Sequence, residues 1–139
     1  MKHHAMALLF ALQLLAAPTY AAEIETAVTA GDLALVERLI AGGADVNHKG
    51  AMLGLRPLHY AVIASNKPMV DLLLAKGADI NIKKNDGYTA LHLAAARGNA
   101  PMVEYLLGKG ASAAVTNNAG DTPLALAKDD SIRALLKGK

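Results

Sequence analysis

Residues 89–112 read TALHLAAARGNAPMVEYLLGKGAS, and their layout decides the fold. Thr89 is of a type that opens helices, because its hydroxyl accepts from an otherwise free backbone amide. Leu91, Ala94 and Ala95 then fall on one face of a short helix. Gly98-Asn99 breaks that helix, and Pro101 suits the first turn of the next. Val103, Leu106 and Leu107 have the i, i+3, i+4 spacing of a buried stripe. Gly110 ends the second helix in the left-handed conformation that glycine adopts at little cost. A single helix pair of this kind cannot bury its stripe alone, so it needs stacked neighbours.

The neighbours are present in the chain. Ala90-Leu91-His92-Leu93-Ala94 matches Pro57-Leu58-His59-Tyr60-Ala61 upstream and Pro123-Leu124-Ala125-Leu126-Ala127 downstream, each 33 residues away. The second half repeats as well, from Val70 to Asp79 and from Val103 to Ser112. Val36 to Asp45 is the same phrase 34 residues earlier, so one additional residue falls between His48 and Leu55. A 33-residue period carrying T-x-L-H-x-A and then V-x-x-L-L-x-x-G-A-D resembles the ankyrin repeat. The resemblance covers residues 22–139 in four units, at about 22–50, 51–84, 85–118 and 119–139. It implies an all-α solenoid of four stacked helix-turn-helix units joined by β-hairpin-like loops.

The outer units depart from the pattern. Ile24 and Glu25 stand at the Leu-His positions of the first, next to Ala22 at its start. Arg56 replaces the capping Thr of the second unit, which weakens that helix start. In the last, Ala125 replaces His and about four residues are missing before Ile132, so an outer helix over 132–137 is short. Ser112 and Ala114 replace the Asp and Asn of Asp45/Asn47 and Asp79/Asn81, which predicts a looser turn after Gly110.

Ahead of the repeats, residues 1–22 read MKHHAMALLFALQLLAAPTYAA. Lys2 gives a positive start, Ala5–Ala17 is apolar apart from Gln13, and Pro18 precedes small residues. This is the layout of a secretory signal peptide cut after Ala21, with Ala22 as the second choice. The run is shorter than the roughly 20 residues of a membrane span. No cysteine follows it, so lipid attachment there is not expected. A periplasmic location follows as the expectation, with secretion as the alternative. Removing residues 1–21 takes away Lys2 and no acid, lowering the net charge of +2 by one. So small a charge argues against nucleic acid as a partner, and no membrane association is expected after cleavage.

The chain has 139 residues, 53% of them hydrophobic but only 4% aromatic, and no cysteine. The length suits one domain. The absent thiol removes disulfides, thiolate nucleophiles and cysteine metal sites. His59 and His92 raise a metal site or a general base as an alternative, yet both sit at the repeat's structural histidine position. No further ligand follows either at metal spacing. No serine lies in a nucleophile elbow, and the glycines are spaced as helix ends rather than as a phosphate loop. Asp129-Asp130 reads as a helix cap and Lys83-Lys84 as a solvated tip. No catalytic residue, cofactor or metal is therefore expected.

What remains is a surface. The resemblance implies a protein partner on the concave side, formed by hairpin tips and inner-helix ends. The positions so implied are Met52, Leu53 and Leu55 on the first tip, Asn85, Asp86 and Tyr88 on the second, and Asn118 and Asp121 on the third, with Ile63 and Arg97 on inner helices. Ala51-Met52-Leu53-Gly54-Leu55 is apolar where a tip should be polar, and exposed apolar clusters mark interaction sites. The alternative is that the additional residue lets this loop fold back and bury Leu53 or Leu55. The expected function is a non-catalytic, monomeric adaptor. The resemblance implies support of a catalase against peroxide, with an immunity protein or inhibitor of a toxin or hydrolase as another possibility.

Overall fold

The computed structural model describes residues 19–139, with side chains from residue 23 onward. The expected leader lies outside the described residues up to position 18. Eight helices follow in chain order: α1 (Thr19–Ala30), α2 (Leu33–Ala41), α3 (Pro57–Ile63), α4 (Lys67–Ala75), α5 (Ala90–Ala96), α6 (Ala100–Gly108), α7 (Pro123–Leu126) and α8 (Asp130–Leu136). They form four antiparallel pairs. The inner helices α1, α3, α5 and α7 stack in sequence, while α2 lies against α4 and α6 against α8. There is no strand among the described residues.

Alanine makes the close inner stack possible. Ala27, Ala61, Ala90, Ala94, Ala95 and Ala127 are all buried, and their short side chains let successive inner helices approach. Leu58, Leu91, Met69, Leu73, Met102, Leu106 and Ile132 fill the space between inner and outer layers. Each such side chain contributes roughly 1.5–3 kcal/mol on burial. No aromatic ring is among these core residues.

The helix starts follow local chemistry. Asp32, Asn66 and Asn99 each accept from the amide three residues on, opening the outer helices α2, α4 and α6. The corner before Asn66 holds Ser65 at φ 55°, where the equivalent corners hold Gly31 and Gly98 at φ 74°. Ser65 accepts from the Asn99 side chain of the next unit at 2.8 Å, a tie glycine cannot make. The α6 helix ends at Gly108, with Gly110 at φ 95° reversing the chain.

Side-chain rungs run between units. Asn47 Oδ1 accepts from the Asp79 amide at 3.0 Å, and Asn81 Oδ1 accepts from the Ser112 amide at 2.9 Å. Ala114 stands where the next asparagine would be, so the rungs stop there. The turn after Gly110 persists in a weaker form: the Ala114 amide donates to Ser112 Oγ at 3.3 Å, against 2.9 and 3.0 Å at its aspartate counterparts.

Two expected boundaries shift. The last outer helix starts at Asp130 rather than Ile132, because Asp129 accepts from both the Ser131 amide and its hydroxyl. The first inner helix already runs at Thr19, the first described residue, so cleavage after Ala21 would fall within α1.

Candidate functional site

The three hairpins that join the units form a ladder of their own. Finger 1 spans 50–55, finger 2 spans 84–88 and finger 3 spans 117–121. Finger 2 closes through the Lys84 amide on the Tyr88 carbonyl, and finger 3 through Asn117 on Asp121. Finger 1 closes through Gly50 on Leu55, one residue wider, which locates the additional residue in this tip. Successive tips are tied by backbone bonds: the Asn85 amide donates to the Leu53 carbonyl at 2.9 Å, and the Asn118 amide to the Asp86 carbonyl at 3.0 Å.

The wider tip leaves Met52 78% and Leu53 62% exposed. Leu53 has φ 62°, a left-handed conformation that costs an L-residue roughly 1–2 kcal/mol. Gly54 follows at φ 67°, and a Cβ there would lie 2.2 Å from Asn85 Oδ1, so any side chain would push Asn85 aside. The fold-back alternative holds for Leu55 alone, which is half-buried.

Finger 2 satisfies itself. Lys84 Nζ lies 2.7 Å from Asp86 Oδ2 and 5.4 Å from the Tyr88 ring centroid. Lys83 Nζ donates to the Thr116 carbonyl at 2.9 Å. The pair expected to be a solvated tip is therefore engaged, Lys83 by the next unit and Lys84 within its own hairpin. Tyr88 is half-buried, with its ring 5.5 Å from that of His92. Asn85, Asp86 and Arg97 are exposed, while Ile63 is half-buried.

Three more expected contact residues carry structural bonds. Asn118 Nδ2 donates to the Asn85 carbonyl at 3.0 Å. The half-buried Asp121 offers its carbonyl to His92 Nε2 at 2.8 Å, and Leu55 uses its carbonyl to close finger 1. Tyr88, Asn118, Asp121 and Leu55 thus belong in large part to the frame. Met52, Leu53, Asn85 and Arg97 remain as the open set, while the exposed Asp86 has its carboxylate held by Lys84 and the Tyr88 amide.

The histidines are clasps. The Arg56 amide donates to His59 Nδ1 at 2.9 Å and the Thr89 amide to His92 Nδ1 at 3.1 Å, so each ring is protonated on Nε2. From there His59 donates to the Ile82 carbonyl and His92 to that of Asp121, on opposite arms of the next hairpin. Burial is the main cause that pushes the His59 pKa down to about 4 and lowers that of His92. Thr89 Oγ1 accepts from the His92 amide in return. Arg56 has no side-chain acceptor for that second bond, and its Nη1 instead donates to the Asn47 carbonyl at 3.0 Å. Among the described residues no three His, Cys, Asp or Glu gather as a metal site would require.

One cluster has no counterpart in the later units. Glu25 occupies the histidine position of the first inner helix, and Gly50 packs so near that a Cβ would meet Glu25 Oε1 at 2.7 Å. His48 is half-buried with Nε2 3.8 Å from the same oxygen. Glu25 Oε1 and Arg56 Nε are buried without a hydrogen-bond partner, as is Asn117 Nδ2 in finger 3. Glu25, Thr26, Thr29, Ala30 and Tyr60 line a depression of about 450 Å³ between α1 and α3.

A family model of ankyrin repeats, in three copies, matches residues 24–117 and 69–139. The chain belongs to the ankyrin-repeat family. Among solved structures it is similar to the ankyrin repeat domain of Bcl-3, a member of the IkappaB protein family. The two share 35% identity with a TM-score of 0.77, over 83% of this chain and 50% of that one. The chain thus spans half the length of that relative. Comparison with curated proteins gave no match. Ankyrin repeats are protein–protein interaction modules, and the ankyrin solenoid here presents an inner-helix face flanked by finger tips.

Sequence reasoning missed Glu25, Thr29 and Tyr60 as part of that face. The signal was present, since Glu25 breaks the histidine register of the ankyrin pattern.

Proposed function

We propose that the protein is a non-catalytic adaptor of the bacterial periplasm that binds another protein through its inner-helix face and finger tips. The observation that carries this reading is the pair Met52 and Leu53, exposed side by side with Leu53 in a strained backbone. Exposed apolar clusters and stored backbone strain both concentrate at binding sites. Arg97 adds an exposed charge at the end of α5. Periplasmic location is supported by the leader-like layout of residues 1–21, and the family resemblance supplies a catalase as the first candidate partner.

The double variant Met52→Ser/Leu53→Asn tests the surface. It is expected to lose co-purification of the partner from periplasmic extract, with helical circular dichroism and melting temperature held or raised. Undiminished capture overturns the finger-tip reading. Absence of catalase from the captured fraction overturns that candidate. Export is tested by N-terminal sequencing of the processed protein: a start at Ala22 supports it, and a retained Met1 overturns it.

A further inference from the structure

We propose that the depression between α1 and α3 receives a basic side chain, lysine or arginine, of the partner protein. This deepens the protein-binding reading and rests on it for the identity of the occupant as a protein side chain.

Its lining faces a ligand with acceptors. Glu25 brings a carboxylate to a position where the next two units bring a histidine. Histidine donates to the following hairpin, as His59 and His92 do. A carboxylate has no proton to donate, so Glu25 makes no such clasp: its Oε1 is buried against Gly50, while the side chain as a whole stays 24% exposed and lines the depression. Among the described residues the basic group beside Oε1 is His48 Nε2, at 3.8 Å and beyond hydrogen-bonding reach. The Thr29 hydroxyl hydrogen is committed to the Glu25 carbonyl at 2.8 Å, so Thr29 Oγ1 has only lone pairs left. Tyr60 contributes an aromatic wall, and its phenol titrates above its ordinary value through burial and then the charge of Glu25.

A carboxylate, an accepting hydroxyl and an aromatic ring together select a cation. With Glu25 the only carboxylate lining it, the depression is too poor in ligands for a bare metal ion. A lysine or arginine instead brings its charge at the end of an apolar stem that packs along Tyr60 and Ala30. Position supports a protein source for it. Gly50, the base of finger 1, packs on Glu25, so the depression adjoins the finger bearing Met52 and Leu53. A partner segment seated on that tip carries a neighbouring side chain to Glu25.

The test uses the isotope-labelled protein and small probes, with no partner needed. Nα-acetyl-arginine methylamide and its lysine counterpart are titrated while the amide signals of Glu25, Thr26, Thr29 and Tyr60 are followed. Saturating shifts at these residues are expected. They should weaken about tenfold in Glu25→Gln, the loss of one charge-assisted contact, and be absent with the uncharged citrulline analogue. Tyr60→Leu provides a second variant, expected to weaken both probes while leaving the carboxylate in place. Equal response to citrulline, unchanged binding in Glu25→Gln, or shifts mapping elsewhere overturns the proposal. Tighter saturation by spermidine or Mg²⁺ also overturns it, by assigning the depression to a free cation. Because the readout needs no partner, its failure is separable from failure of the finger-tip reading.

Discussion

Fingers 1 and 2 occupy the same place in consecutive repeats and behave in opposite ways. Finger 2 has a three-residue tip whose charges cancel internally, Lys84 on Asp86, and whose tyrosine packs back on the His92 clasp. Finger 1 has one residue more between its closing bonds, and that residue forces Leu53 into a left-handed conformation with its side chain in solvent. Both fingers keep a left-handed glycine just before the closing residue, Gly54 and Gly87, and the bond that ties one tip to the next. The scaffold thus tolerates an insertion as long as the ladder bonds survive, and the inserted residue is free to serve recognition. Repeat proteins divide labour in this way: backbone and side-chain groups bonded to the next unit hold shape, and side chains left in solvent are open to a partner.

The largest effect comes from removing the clasp behind finger 2, which also holds finger 3. His92→Ala leaves the buried Thr89 amide unpaired, removes one of the two bonds to the Asp121 carbonyl and opens a cavity, and should cost about 3–4 kcal/mol. Thermal denaturation should show a drop of more than about 10 °C. A variant that melts unchanged would refute the structural role of this histidine.

Nearly as large is the effect of acid. Burial lowers the His59 pKa from 6.5 to about 4, so the neutral ring is favoured by folding. That stabilisation is complete above about pH 6.5 and is lost as pH falls toward 4. The shift corresponds to about 3 kcal/mol at its limit, and His92 acts in the same direction. Melting temperature should decline across this window. Imidazole nitrogen spectra at pH 5.5 should still show the neutral Nε2–H tautomer for His59, and a protonated ring there would contradict the clasp.

Glycine substitutions then separate the fingers. A Cβ on Gly87 meets the backbone of finger 3, Asn118 N at 2.7 Å and Asn117 Cα at 3.0 Å, which cannot turn aside. A Cβ on Gly54 meets the Asn85 side chain first, and the backbone amide only at 3.1 Å. Gly87→Ala should cost about 2–3 kcal/mol and Gly54→Ala about 1–2. Equal costs by chemical denaturation would mean that the fingers are equally constrained. The smallest effect sharpens the contrast from the other side. Leu53→Asn should raise stability by about 0.5–1 kcal/mol, because asparagine accepts left-handed geometry more readily than leucine. The equivalent Asp86 lies outside the left-handed region, so Asp86→Asn should bring no such gain.

Much of this architecture was legible because it is local. The period, the Thr cap, the glycine stops and the alanine-rich inner helices all follow from chemistry within one 33-residue unit. The division of finger residues between frame and surface was not, because it depends on atoms contributed by the next unit. Tyr88 and Asp121 look like contact residues until His92 is placed against them, and Lys83 looks solvated until Thr116 lies beneath it. Leu53 was legible as an oddity, while its strain required knowing on which side of Gly50 the extra residue falls. Glu25 was visible as a departure from the histidine register. Its meaning emerged only when Gly50 and His48 were brought beside it.

The asparagine rungs give the stack a direction. Asn47 and Asn81 each hold an amide of the unit that follows, and Ala114 holds nothing. The final pair, α7 and α8, is therefore attached by packing and hairpin bonds without the rung that secures its predecessors. Opening fluctuations should begin at that end and travel toward the first unit, so amide hydrogens of 123–136 exchange with solvent ahead of those in α3 and α5. An unzipping motion with a built-in starting point leaves finger 1 and the Glu25 depression among the last parts of the molecule to lose their shape.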